Sequence, residues 1–139
     1  MIGFSIPIDY EIAVISYEGI HIIDLNQREP LVNHNSDHPE GVPFYDTKDQ
    51  TLSYKGKRYS ILGLYGGTPK LKSNSNEQLK LNWQKEEFLL LNEEAEEVFS
   101  YNYKDLSGDW AHVTFSTDDR FIVLGIPYDL YLFERSNNV

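Results

Sequence analysis

Residues 110–135, WAHVTFSTDDRFIVLGIPYDLYLFER, decide the fold. Three short apolar stretches are separated by two tight polar turns, one at Ser-Thr-Asp-Asp-Arg and one at Tyr128-Asp129, which is the pattern of an antiparallel β-meander. The pattern returns near the other end of the chain. There Ile12 to Leu25 (IAVISYEGIHIIDL) can be laid under Phe121 to Phe133 (FIVLGIPYDLYLF) without a gap through the first hairpin. The two ends are therefore expected to be built alike and to lie side by side.

Working outward, the 139 residues, 40% hydrophobic and 14% aromatic, suffice for one compact domain spanning 1–139 and are too few for two ordinary ones. Ten Tyr, seven Phe and two Trp favour strands, where aromatic side chains pack on a pleated face. An all-β fold is expected. With no Cys, disulfides, thiolate metal sites and Cys nucleophiles are excluded. The start MIGFSIPIDY lacks the basic region and apolar core of a signal peptide, and no apolar run reaches the roughly 18–20 residues a membrane span needs, so a cytoplasmic protein without a membrane partner is expected.

The formal charge of −10 opposes nucleic-acid binding, which requires clustered Lys and Arg. It favours a basic partner. Charge is also uneven along the chain: residues 1–47 carry a net −7, residues 48–85 a net +6, and residues 86–139 a net −9. If the ends meet, two acidic regions merge on one surface facing away from a basic middle.

Glu11 to Ser16 and Gly19 to Leu25 read as a hairpin turning at Tyr17-Glu18-Gly19, and Leu52 to Tyr54 with Arg58 to Leu64 as another turning at Lys55-Gly56. Between them, Asn26 to Gln50 is dense in Asn, Asp, Gly and Pro, and predicts a long loop. Leu79, Leu81 and Trp83 alternate at strand period. The segment Glu86 to Tyr103 fits two strands around NEEAEE. Phe88, Leu91, Ala95 and Val98 also share one helical face, so a short helix near 86–99 competes with the hairpin. Counting hairpins gives four units, around Val14, Leu62, Leu90 and Val123, at irregular spacing.

Val113 to Gly125 (VTFSTDDRFIVLG), followed by Tyr128-Asp129 and Leu130 to Phe133, resembles a blade of a WD40-type β-propeller, and Ile12 to Leu25 resembles the outer strands of another. The resemblance covers about 40 residues and lacks the Gly-His and Trp-Asp pairs of that family. It implies blade-like antiparallel meanders arranged as a compressed or partial propeller, or as a curved sheet. In size, acidity and absence of catalytic groups the chain is also similar to bacterial immunity proteins that neutralise secreted toxins.

Individual constellations point the same way. His34, Asp37, His38 and Glu40 crowd one loop, but Pro39 and Gly41 oppose the helix that would converge two imidazoles, so a solvated loop is expected and no metal or cofactor. Asp118 and Asp119 read as turn residues capping backbone amides rather than a catalytic pair. His21 and His112 sit in strand patterns with no triad partner at recognisable spacing. Trp83 and Trp110 are expected as buried anchors. Gly63 to Gly67 is a turn, not a dinucleotide fingerprint.

A non-enzymatic protein-binding domain is thus expected, with Glu93, Glu94, Glu96, Glu97, Asp118, Asp119 and Asp129 meeting a basic toxin domain and Tyr128 as aromatic anchor. The alternatives are a propeller-like interaction or sensor module unconnected with toxins, and a small metal-dependent enzyme built on the Asn33 to Gly41 loop. Oligomeric state is not specified by the residues.

Overall fold

The computed structural model describes residues 1–26, 29–34, 44–104 and 108–135, and among these the chain is all-β, with thirteen strands and no helix. Seven strands form one sheet that curls into a half-barrel: β1 (Gly3–Ser5), β2 (Glu11–Ser16), β3 (Gly19–Asp24), β4 (Glu29–His34), β5 (Phe44–Asp46), β6 (Thr51–Tyr54) and β7 (Lys57–Gly63), in the order β4-β3-β2-β1-β7-β6-β5. Two three-stranded sheets follow. One runs β10-β9-β8, from β8 (Gln78–Asn82), β9 (Glu87–Leu91) and β10 (Glu97–Asn102). The other is the terminal meander β11-β12-β13, from β11 (His112–Phe115), β12 (Phe121–Ile126) and β13 (Asp129–Glu134).

The hairpins read from the sequence are present. In the β6–β7 turn both Lys55 (φ 47°) and Gly56 (φ 80°) are left-handed. That is the turn geometry whose twist matches its flanking strands. Residues 86–103 form a hairpin and not a helix, because Phe88 and Leu90 on β9 and Phe99 and Tyr101 on β10 alternate at period two. The Asn92 carboxamide also draws the turn amides of Glu94 (3.0 Å) and Glu96 (2.9 Å) into a loop that a helix would not allow.

One expectation is corrected. The region 26–50 is not wholly loop, since β4 and β5 lie within it as the edges of the large sheet. Pro30 is tolerated because β4 is an edge strand and its ladder shifts register at Ile22/Ile23. The first residues also form a strand. β1 inserts between β2 and β7, so the first two hairpin units share one sheet.

The terminal meander is the middle layer. One face of it, with Val113, Phe115, Ile122 and Leu124, packs on Leu79, Phe88 and Leu90 of the β8–β10 sheet. The other face, with Phe121 and Val123, packs with Trp110 on Phe4, Ile12 and Leu62 of the large sheet. Every residue of β12 is consequently buried. This accounts for the unbroken apolar run FIVLGI, where a half-exposed strand would alternate. The chain ends do meet, as their matching patterns implied. The Phe4 ring lies where a side chain on Gly125 would stand. A third cluster, around Ala13, Ile15, Ile22, Leu52, Tyr59 and Ile61, fills the curl of the large sheet. At its margin the Glu11 carboxylate accepts from Lys57 Nζ (2.8 Å) and the Tyr59 hydroxyl (3.0 Å). Burial first, and then this carboxylate, push the Tyr59 hydroxyl well above its usual range.

His112 ties the middle layer to the large sheet by donating from Nε2 to the Gly63 carbonyl (3.1 Å). Burial lowers its pKa from the ordinary 6.5, outweighing that hydrogen bond. The unfolded chain therefore takes up this proton first, and stability held above that pH declines as pH falls below it. The urea midpoint of the wild type should drop between pH 7.5 and 5.5 by more than that of His112→Gln, which keeps a donor but does not titrate; equal drops would refute the assignment. Gly125→Ala, which drives a methyl into Phe4, should cost about 1–3 kcal/mol by the same measurement.

Candidate functional site

The β9–β10 turn gathers four glutamates at one point of the surface. Ala95 takes the left-handed conformation (φ 64°) and donates to the Asn92 carbonyl (2.9 Å), closing a short loop that turns Glu93, Glu94, Glu96 and Glu97 outward. All four are exposed, and none joins an ion pair among the described residues. Phe99 on β10 lies 5.6 Å from Phe133 on β13, and Tyr101 lies 5.4 Å from Tyr131, so the two strands run in opposite directions across the interior. The start of β10 therefore lies at the same end as the close of β13 and the β11–β12 turn.

That second turn holds Asp118 and Asp119. Asp118 accepts from the Ser116 hydroxyl (2.7 Å) and the Arg120 amide (3.0 Å), as the capping reading expected. Burial alone would raise its pKa, but these hydrogen bonds and the Arg120 charge outweigh burial and hold it below the usual carboxylate value. Asp119 is more deeply committed. It takes the left-handed conformation (φ 64°), pairs with Lys70 Nζ (2.7 Å) and accepts the Asn74 amide (2.7 Å). It thus clamps the 70–76 segment onto the meander.

Of the bases at this end, Lys70, Arg120 and Arg135 are similarly engaged within the fold, whereas Lys72 is exposed and lines a pocket with Glu93. Arg135 binds both oxygens of Glu77 (2.5 Å) and covers the Phe115 ring at 5.4 Å. Arg120 donates to the Tyr10 hydroxyl (2.7 Å) and lies 3.6 Å from Glu134. Three cations are spent on internal partners, and the exposed Lys72 stands beside four carboxylates that face solvent. The field at this end is accordingly negative.

Tyr128 and Asp129 are not part of it. The β12–β13 turn lies at the far end of the strands, where the amino terminus donates to the Pro127 carbonyl (2.7 Å). Tyr128 is 76% exposed there. Trp110 is buried and stacks 6.3 Å from Phe4, as expected of an anchor, but Trp83 is 49% exposed because it lies beyond the end of β8, in the turn. Asp37, His38 and Glu40 fall outside the described residues. Among the described residues no three His, Asp or Glu side chains converge to hold a metal, and no helix is long and apolar enough to cross a membrane.

One feature of this end was missed at the sequence level. Between the β10 and β13 edges opens a groove of about 510 Å³, floored by Leu90, Phe99, Ile122 and Phe133 and rimmed by Glu134 and Arg135. Phe99 is 40% exposed there. The signal was present as Phe99-x-Tyr101 and Tyr131-x-Phe133, two aromatic pairs at strand period. What was not legible is that they face each other.

No family model matches this chain, and a search of curated proteins finds no match. The chemistry of the site therefore stands on its geometry. Because Asp119 is bonded inward, Asp119→Asn, which keeps the left-handed preference but loses the charge, should lower stability by about 1–3 kcal/mol in chemical denaturation. Glu94→Gln should leave stability unchanged.

Proposed function

We propose that this chain is a non-enzymatic immunity or inhibitor protein of the bacterial cytoplasm, which binds a basic toxin domain, most plausibly a nuclease, and occludes its substrate cleft. The observation carrying this reading is the end of the molecule where Glu93, Glu94, Glu96 and Glu97 are exposed and outnumber the one exposed base beside them, Lys72, while Lys70, Arg120 and Arg135 are bound internally. A nuclease must present a positive cleft to hold phosphates. An acidic turn is complementary in charge to that cleft, and its field speeds encounter by about tenfold or more at low salt. Asp118 and Glu134 extend the acidic surface, whereas Asp119 shapes it from beneath. Tyr128 and Asp129, at the far end, belong to the interface only if the toxin reaches along the full length of the strands.

The reading is tested by co-expressing this chain with a basic nuclease toxin domain, taken from a neighbouring gene where one encodes it. Wild type should restore growth. Glu93→Lys, Glu94→Lys, Glu96→Lys and Glu97→Lys together should abolish rescue and slow association about tenfold or more at low salt, with thermal unfolding unchanged. Full rescue by the fourfold variant, or an affinity indifferent to salt, would sink the proposal.

A further inference from the structure

The two sides of the β8–β10/β11–β13 sandwich are closed differently. On the β8/β11 side the preceding segment is stitched between the sheets: the Leu79 amide donates to the Leu71 carbonyl (2.8 Å) and the Phe115 amide to the Lys70 carbonyl (2.9 Å). On the β10/β13 side no strand pairs with either edge among the described residues. Five of the six residues of β10 are exposed.

The register shows which backbone groups of β10 are free. The Tyr103 amide donates to the Glu86 carbonyl (2.8 Å), continuing the ladder in which Asn102 faces Glu87 and Ser100 faces Leu89. In an antiparallel strand, alternate residues turn their amide and carbonyl to opposite edges. Phe99, Tyr101 and Tyr103 thus bond to β9, and Ser100 and Asn102 present N–H and C=O outward. Such an edge is a template for another chain. The register shift between Glu97 and Phe99 interrupts one end of the edge, leaving Phe99–Asn102 in regular register.

We infer that the edge of β10 receives an extended segment of the partner protein, added antiparallel, whose apolar side chains alternate with Lys or Arg. This rests on the proposed reading and names the form the partner takes. A residue opposite Phe99 or Tyr101 shares their face and enters the groove over Phe133. A residue opposite Ser100 or Asn102 points to the outer face, and the segment's end lies beside Glu96 and Glu97. Charge selects the occupant. A second copy of this chain would bring another net charge of −10 and another glutamate cluster to the same edge, whereas a cationic segment meets a cluster in which four glutamates outnumber Lys72.

The probe is an end-blocked nonapeptide of alternating lysine and valine, titrated against the full chain by fluorescence anisotropy. With valines in the groove, lysine amides pair with Ser100 and Asn102 and valine amides point away. N-methylation of all valine amides should leave affinity within about threefold. N-methylation of all lysine amides should weaken it at least about tenfold. Ser100→Pro removes an outward donor without breaking the β9 ladder, and should weaken the parent peptide at least about tenfold with thermal unfolding preserved. The methylated pair tests the same point on the wild-type protein should that variant not fold.

Equal effects of the two methylations, or no binding of the parent peptide, would overturn strand addition. Salt-sensitive binding that ignores both Ser100→Pro and lysine-amide methylation would overturn it while leaving the acidic-docking reading intact. A dimer in solution that Ser100→Pro converts to monomer would assign the edge to a second copy and overturn it as well.

Discussion

The structure depends on β12 being covered on both faces. A strand in a two-layer sandwich needs only one apolar face, but Phe121 to Ile126 serves two cores at once, Ile122 and Leu124 toward one neighbouring sheet and Phe121 and Val123 toward the other. Gly125 makes the second contact possible, because the Phe4 ring occupies the space its side chain would fill. At about 25 cal/mol per Å² of apolar surface removed from water, so continuous a buried strand is the main cohesive element between the two ends of the chain. The curled seven-stranded sheet and the β8–β10 sheet hold their places because both adhere to it.

That packing also sets the electrostatics. Once the meander is the middle layer, its β11–β12 turn needs support from below, and Lys70 and Arg135 supply it through Asp119, Glu77 and the Phe115 ring. Cations committed in this way cannot neutralise the neighbouring β9–β10 turn. The acidic end is thus a consequence of how the core is braced as much as of the number of glutamates. The same layering leaves the β10 edge open, since the segment that closes the sandwich threads only the β8 side.

Much of the local structure was legible because its determinants are local. Lys55-Gly56, Asn92 to Glu96 and Ser116 to Arg120 each carry turn chemistry within a few residues, and the strands between them keep period two or run wholly apolar. Strands β1, β4 and β5 were not legible: three or six residues long, lying at the start of the chain or amid Asn, Asp and Pro, they owe their conformation to a neighbouring strand's backbone. Trp83 illustrates the same limit. Its alternation with Leu79 and Leu81 is real, yet β8 stops one residue before it and leaves the ring exposed.

The candidate site divides along the same line. The identity of the glutamates, their clustering in a turn and the net negative charge follow from composition and order alone, because charge is a property of residues and tight turns point outward. Which acids act together does not follow. Asp119 reads as the equal of Asp118 but is bonded to Lys70 and Asn74, distant in sequence, and Asp129 reads as a neighbour of both but lies a strand length away. Those outcomes, and the facing of Phe99 and Tyr101 on Phe133 and Tyr131, were decided by the stacking of three sheets. Stacking joins residues by apolar burial, which leaves no mark in the chain of which face will meet which.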